Sequence, residues 1–301
     1  MILCLGGACI DRKYRAQSEV VYGTSNSVRA GRSFGGVARN VAENLARLGV
    51  DAMLFSAVGN DDDGRALLQH LHESGVETSL VAIDAAHPTA EYAAVLGSDG
   101  DLLLGVSDMR AIESIALRDL DACWERCAAA TWMFVDCNAT AELLSACIAR
   151  ARSANVRVAV DPVSEPKTSR LPIDLSGVDL LFMNEREATV YLGWRPGAPA
   201  AELAWALRER GAASVVLTLG ASGALVASDR CVQIPPFGAE RVDATGAGDA
   251  LIAGVLYAML RGEPLAAAAR VGTLAAALTI GSVSSVRPDI SVALLEAARA
   301  T

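Results

Sequence analysis

Asp243-Ala244-Thr245-Gly246-Ala247-Gly248-Asp249 is the stretch of this 301-residue chain whose residue types and spacing most directly suggest chemistry. Small residues run into the start of a helical pattern. The first N–H groups of a helix have no intrahelical acceptor and lie at the positive end of its dipole. Such bare amides suit a phosphoryl group that gains charge while it is transferred. Gly246 and Gly248 let the main chain come close, with Ala247 between them. Asp249, at the same helix end, is placed to take a proton from a hydroxyl approaching that phosphoryl. Taken alone, the turn serves equally as a helix start capped by Thr245 or Asp249.

Three further segments carry polar groups at turns. Gly35-Gly36-Val37-Ala38-Arg39-Asn40 opens a helix and offers two glycines for close approach and the Asn40 amide for hydroxyl groups. Its plainer reading is a helix start with Asn40 on the solvated face. Asn184-Glu185-Arg186-Glu187 follows a strand and reads as an N-cap with acids in the first turn. Thr218-Leu219-Gly220-Ala221-Ser222-Gly223 reads, taken alone, as a strand-ending turn.

The elements that must position these groups follow a strand–helix rhythm. An apolar run at 2–8 reads as a buried strand, 36–48 as a helix with Val37, Val41, Leu45 and Leu48 at helical spacing, 52–58 as a strand and 63–74 as a helix. Residues 89–106 form two strand-like runs around Ser98-Asp99-Gly100-Asp101, a hairpin signal. Strands at 131–137, 156–161, 178–184 and 214–220 then alternate with helices at 140–152, 185–192 and 200–210. Short strands near 223–227 and 231–235 precede helices at 249–261 and 264–279. Repeated βα units imply a mostly parallel sheet covered on both faces, with ligands at the carboxyl ends of its strands. Segments 10–34 and 89–110 break the rhythm and are assigned to a small β lid over a single domain spanning 1–301.

Composition agrees with that class. The chain is 52% hydrophobic with 5% aromatic residues, which favours helices on a buried sheet. A net charge of −9 argues against nucleic-acid binding without excluding a local phosphate site. No apolar run reaches the roughly 18 residues that span a bilayer. Seven cysteines lack C-x-x-C spacing, and they read as reduced thiols of a cytoplasmic protein. Gly6-Gly7-Ala8 is not G-x-G-x-x-G, so a dinucleotide-binding oxidoreductase is disfavoured. His70, His72 and His87 lie away from every motif and read as surface residues.

Taken in order, the segments resemble the signatures of the ribokinase-like (PfkB-type) carbohydrate kinases: G-G-x-x-x-N at 35–40, N-x-x-E at 184–187, T-x-G-x-x-G at 218–223 and D-T-x-G-A-G-D at 243–249, with Ala244 in place of Thr. The resemblance implies a three-layer α/β/α sandwich with a small β-sheet lid. It also implies ATP bound by Asn184, Thr218, Gly220, Gly223, Gly246 and Gly248, and anion-hole amides at 246–248 with Asp249 as base. Mg²⁺ would be held through water by Glu187, and K⁺ beside Asp243 and Ser285, near Gly281.

Within that family the chain is similar to the pseudouridine kinases, at Gly7-Ala8-Cys9-Ile10-Asp11, Ser25-Asn26, Ser107-Asp108-Met109, Asp136-Cys137-Asn138 and Asp161-Pro162-Val163-Ser164. That likeness implies transfer to the ribose 5′-hydroxyl of a nucleoside, with Asp11, Asn26, Gly35, Gly36 and Asn40 around the sugar. Met109 and Asn138 would stand close by. Strand alternation sends Thr89 and Glu91 to one face and Tyr92 to the other, and Thr89 is favoured as the base contact. Arg12, Lys13 and Arg15 have no counterpart in the pattern. A ribokinase-type sugar kinase, an adenosine or inosine kinase and a catalytically silent nucleoside-binding homologue are the alternatives. An exposed lid sheet favours a homodimer.

Overall fold

The computed structural model describes residues 1–238 and 242–299. Among the described residues thirteen strands form two sheets. The larger holds β1 (Ile2–Leu5), β4 (Ala52–Gly59), β5 (Glu77–Asp84), β8 (Trp132–Asp136), β9 (Arg157–Asp161), β10 (Leu180–Asn184), β11 (Val215–Thr218), β12 (Ala224–Ala227) and β13 (Cys231–Ile234). Its order is β13-β12-β11-β10-β9-β8-β1-β4-β5. The pairs from β5 through β11 are parallel, and β12 and β13 add an antiparallel edge. The smaller sheet has the order β3-β2-β6-β7 and comprises β2 (Cys9–Ala16), β3 (Val28–Gly35), β6 (Glu91–Leu96) and β7 (Leu102–Asp108).

Side-chain alternation divides the core of the large sheet. Leu3, Leu5, Met133 and Val135 point to one face. There they meet Leu120 of α4 (Leu117–Ala128), Leu143 and Leu144 of α5 (Ala141–Ser153), Leu192 of α6 (Glu185–Leu192) and Leu203 and Leu207 of α7 (Ala200–Glu209). Ile2, Cys4, Trp132 and Phe134 point to the other. They meet α1 (Val37–Arg47), α2 (Asp62–Glu73), α8 (Ala247–Leu260) and α9 (Leu265–Ile280). Short α3 (Arg110–Glu113) and α10 (Val292–Arg299) complete the α-helices of the described residues. The result is the three-layer α/β/α arrangement with a separate small sheet that the sequence implies.

One boundary and two elements differ from expectation. The first strand stops at Leu5 rather than reaching residue 8, because Gly6 takes φ +144° and a side chain there would overlap the Asp136 carboxylate. The chain then leaves the large sheet and enters the small one at Cys9. Strand β5 and helix α4 were not anticipated. β5 is a half-exposed edge strand whose polar residues mask its period.

β1 is flanked by β4 on one side and β8 on the other. The strand order therefore reverses beside β1, and a doubly wound sheet opens its crevice at such a point. The carboxyl ends of β1, β8, β9, β10 and β11 converge there, with the small sheet alongside. Among the described residues no helix is long and apolar enough to cross a membrane.

Candidate active site

At that crevice Gly246, φ +81°, caps α8, and a Cβ on it would overlap the Ser285 carbonyl oxygen. Only glycine permits this turn. Ala247 N–H reaches back 3.3 Å to the Ala244 carbonyl, and Ala250 N–H closes the first helical turn on Gly246 at 2.9 Å. Nothing lies within 4 Å of a Cβ built on Gly248, so the start of the helix faces open space. Residues 246–249 thus form a glycine turn that runs directly into the first turn of α8.

Asp249 sits in the first turn of α8, and Asn40 Nδ2 donates to its Oδ2 at 2.7 Å. No salt bridge among the described residues engages this carboxylate. Burial is the main cause that raises its pKa to about 7, and Asp136 and Asp11 add to it; the Asn40 bond and Arg39 act the other way. A carboxylate poised near neutrality, close to bare amides, suits a general base.

Asn40 is held from behind. Arg39, 2% exposed, donates to the Asn40 Oδ1 and to Glu43, and at 3.1 Å to the Phe34 carbonyl. Because Oδ1 faces the guanidinium, Nδ2 must face Asp249, which settles the orientation of the amide. Arg47 and His70 complete the set around Glu43, at 2.7 and 3.1 Å. His70, expected at the surface, is wedged between Glu43 and the Phe34 ring. Burial lowers the Arg39 pKa to about 10.

Asp11 is 9% exposed, and burial raises its pKa. Its carboxyl lies over Gly35, where a Cβ would overlap it, and Gly36 at φ +98° packs on the Gly7 carbonyl. The two glycines admit parts of the protein itself at these positions. Asp136 went unrecognised as a site residue, although it ends β8. It accepts from the N–H groups of Gly7 (2.9 Å), Ala38 (2.8 Å) and Asn138 (2.8 Å), binding the first crossover to the start of α1. Asn138, 2% exposed, accepts from Lys167 Nζ, a second group the motifs did not reveal.

Other sequence candidates fall elsewhere. Thr89 does not face the Asp11 side. Its hydroxyl donates to Asp61 at 2.6 Å and accepts from Gly59 N–H at 3.0 Å, so its polar capacity is used within the protein. Glu91 pairs with Arg12 at 2.6 Å. Tyr92 is the residue that shares a face with Asp11, since the two are lateral partners in β6 and β2. Asn26 is not brought to Asp11 either. It staples its own loop through Val21 and Thr24, beyond the Ala16–Val28 pair, about 17 Å along the strand. Met109 packs on the hydrophobic core at the start of α3. A cleft of about 600 Å³ between the small sheet and α2 is lined by Arg12, Asp61, Asp63, Thr89, Glu91 and Asp108, among others.

On the nucleotide side, Asn184 and Glu187 form a reciprocal helix cap, each accepting the other's N–H at 2.9 Å. Thr218 is the register partner of Asn184 in the adjacent strand. Gly220 (φ +56°) and Gly223 (φ +85°) shape the turn that follows. Burial raises the pKa of Glu187, and it raises that of Asp161 strongly, with the Glu187 charge adding to the second shift. Next to Asp161, Val163 holds φ +69°, a strained value for a β-branched residue. Two desolvated carboxylates, one ending β9 and one in the first turn of α6 after the neighbouring β10, suit a hydrated divalent ion, which needs only one or two of them. Asp161 and Glu187 would hold Mg²⁺ through its waters, where it would screen phosphate charge. Asp243 and Ser285 fit a potassium ion poorly, because Lys13 already bonds Asp243.

The pfkB family carbohydrate kinase pattern matches residues 1–291. This chain belongs to the pfkB family of carbohydrate kinases. It is 30% identical to the pseudouridine kinase of Escherichia coli (strain K12) over 296 residues, covering 97% of this chain and 94% of that one. A solved carbohydrate kinase from Agrobacterium tumefaciens superposes with a TM-score of 0.85 at 32% identity, covering 98% of this chain and 95% of its own. The ribokinase of Arabidopsis thaliana, solved with ribose and ATP, has a TM-score of 0.82 at 21% identity over 98% and 97% of the two chains, a likeness of fold. In this kinase, the amides at the start of α8 and the Asp249 carboxylate stand together at the switch point of the sheet.

Proposed function

We infer that this kinase transfers the γ-phosphoryl group of ATP to the ribose 5′-hydroxyl of a nucleoside, with pseudouridine as the acceptor. The observation that carries this reading is the Asp249 carboxylate beside the bare amides of α8, held by Asn40 and titrating near neutrality. Asp249 takes the hydroxyl proton as the oxygen attacks, and the N–H groups of the 246–248 turn, once Ala247 gives up its long bond to Ala244, receive the charge that develops on the phosphoryl. The nucleotide runs along the turns after β10 and β11, past Asn184, Thr218, Gly220 and Gly223. Asp11 accepts from the ribose diol, and Asn138 with its Lys167 partner borders the sugar. Tyr92 offers an aromatic ring on the Asp11 side, whereas the Thr89 hydroxyl is taken up by Asp61 and Gly59.

The small sheet acts as a lid over the acceptor and keeps water from the phosphoryl. Its outer strand β7 exposes Leu102, Leu104 and Val106 at alternate positions. Covering them against a second copy supports a homodimer. Acceptor choice is favoured by 30% identity to a pseudouridine kinase along almost the whole chain. ADP formation from ATP with pseudouridine, uridine, adenosine, inosine and ribose tests it. The highest kcat/KM is expected for pseudouridine; a higher value for ribose or a purine nucleoside would replace this acceptor, and ligand-induced thermal stabilisation without ADP would mark a silent binder.

A further inference from the structure

Lys13 has no role in the motifs, yet it ties the small sheet to the phosphate-facing turn. From β2 its Nζ donates to Asp243 Oδ2 at 2.6 Å and to the Thr245 hydroxyl at 2.9 Å. The other oxygen of Asp243 accepts from the Thr245 N–H at 2.8 Å and from its hydroxyl at 2.7 Å. Both carboxylate oxygens are thus engaged. Burial pushes the Asp243 pKa up, but the bonds from Lys13 and Thr245 outweigh it and hold the carboxyl below its ordinary value. On the far side, Ser285 is buried and its carbonyl abuts Gly246. The loop that ends at the bare amides of α8 is therefore fixed by one protein-borne positive charge.

We propose that Lys13 is the built-in monovalent cation of this turn, and that phosphoryl transfer consequently needs no potassium. An ammonium group carries the charge of K⁺ and bonds oxygens at similar range. A second cation on the same carboxylate would face like-charge repulsion at close distance. Because the ammonium is mounted on β2, it reaches Asp243 only when the small sheet stands over the crevice. The order of the phosphate turn is then coupled to the position of the sheet, which a free ion would not achieve. Lys13 acts through the turn and is a positioning residue.

The proposal rests on the transferase reading of the Asp249 turn, so its test combines turnover with a measurement independent of it. Melting temperature and kcat are measured in KCl, NaCl and tetramethylammonium chloride at matched ionic strength, for the wild type and for Lys13→Met. The wild type should show the same melting temperature and kcat in all three salts. Lys13→Met should lose about tenfold in kcat in tetramethylammonium, the scale of one charge-assisted hydrogen bond. Its melting temperature and rate should recover with KCl as the ion binds the vacated carboxylate. A wild type stimulated about tenfold by K⁺ over tetramethylammonium, or a Lys13→Met enzyme as stable and active as wild type without K⁺, would overturn the proposal. If Lys13→Met does not fold, the wild-type salt series decides alone. A wild type inactive in every salt, with an unchanged melting temperature, would count against the transferase reading and leave the cation assignment supported.

Discussion

Desolvation raises the pKa of the partly buried Asp249 to about 7, and among the described residues Asn40 supplies a side-chain hydrogen bond that favours its charged form. The rate should therefore carry this group's signature. We expect kcat/KM to climb with pH through about 7 and then level, as the base becomes ionised. Removing the Asn40 donor withdraws support from the anion, so the acid limb of Asn40→Ala should move to higher pH. A limb that stays in place in a pH–rate series would detach Asn40 from the base. Arg39 cannot be read from the motif, in which it is only an unspecified position. Its importance lies in the third dimension, where it fixes which way the Asn40 amide points.

At the scale of the element, the two glycines before Asp249 do different work. Gly246 is required by backbone geometry, with φ +81° and the Ser285 carbonyl against its missing side chain. Gly248 has no neighbour there and faces open space, where the inferred mechanism puts the phosphoryl group. Gly246→Ala should cost about 1–3 kcal/mol of stability, visible as a lowered melting temperature. Gly248→Ala should keep or slightly raise the melting temperature while lowering kcat by about a hundredfold. Equal behaviour of the two variants in melting and turnover would refute this division.

The same scale shows what the sequence could reveal. Helix α8 and its turn were legible because glycine spacing and an apolar helical run are local signals. The face occupied by Thr89 was not. Alternation showed that Thr89 and Tyr92 point oppositely, but only the register of β6 on β2 shows that Tyr92 shares the Asp11 side. Strand β5 escaped notice because an edge strand with polar outward positions has little hydrophobic period.

For the whole molecule, the reversal of strand order beside β1 gathers residues from 11 to 249 at one crevice. The alternation of strands and helices foretold a parallel sheet, and hence the strand ends at which to look. It could not foretell long-range partners such as Asp136 with Gly7 and Ala38, or Lys13 with Asp243, which depend on how the two sheets stand together. Arg12 and Arg32 tie the small sheet to Asp63 of α2, while Lys13 ties it to the phosphate turn. The exposed face of β7 then makes assembly measurable. Sedimentation should give a dimer for the wild type and a monomer for Leu104→Asp, and a monomeric wild type would remove the inferred interface.

Asp249→Asn puts the central chemistry to the most direct test. The folded carboxyl titrates near 7 against an ordinary 3.8, so ionisation of Asp249 erodes stability as pH rises between those values. The asparagine variant should escape this loss and melt higher than wild type above pH 7, while binding ATP with unchanged affinity by calorimetry. In a single-turnover assay of ATP with pseudouridine it should lose about 10²–10⁴ in rate. Transfer at the wild-type rate by this variant would contradict the assignment of Asp249 as the base.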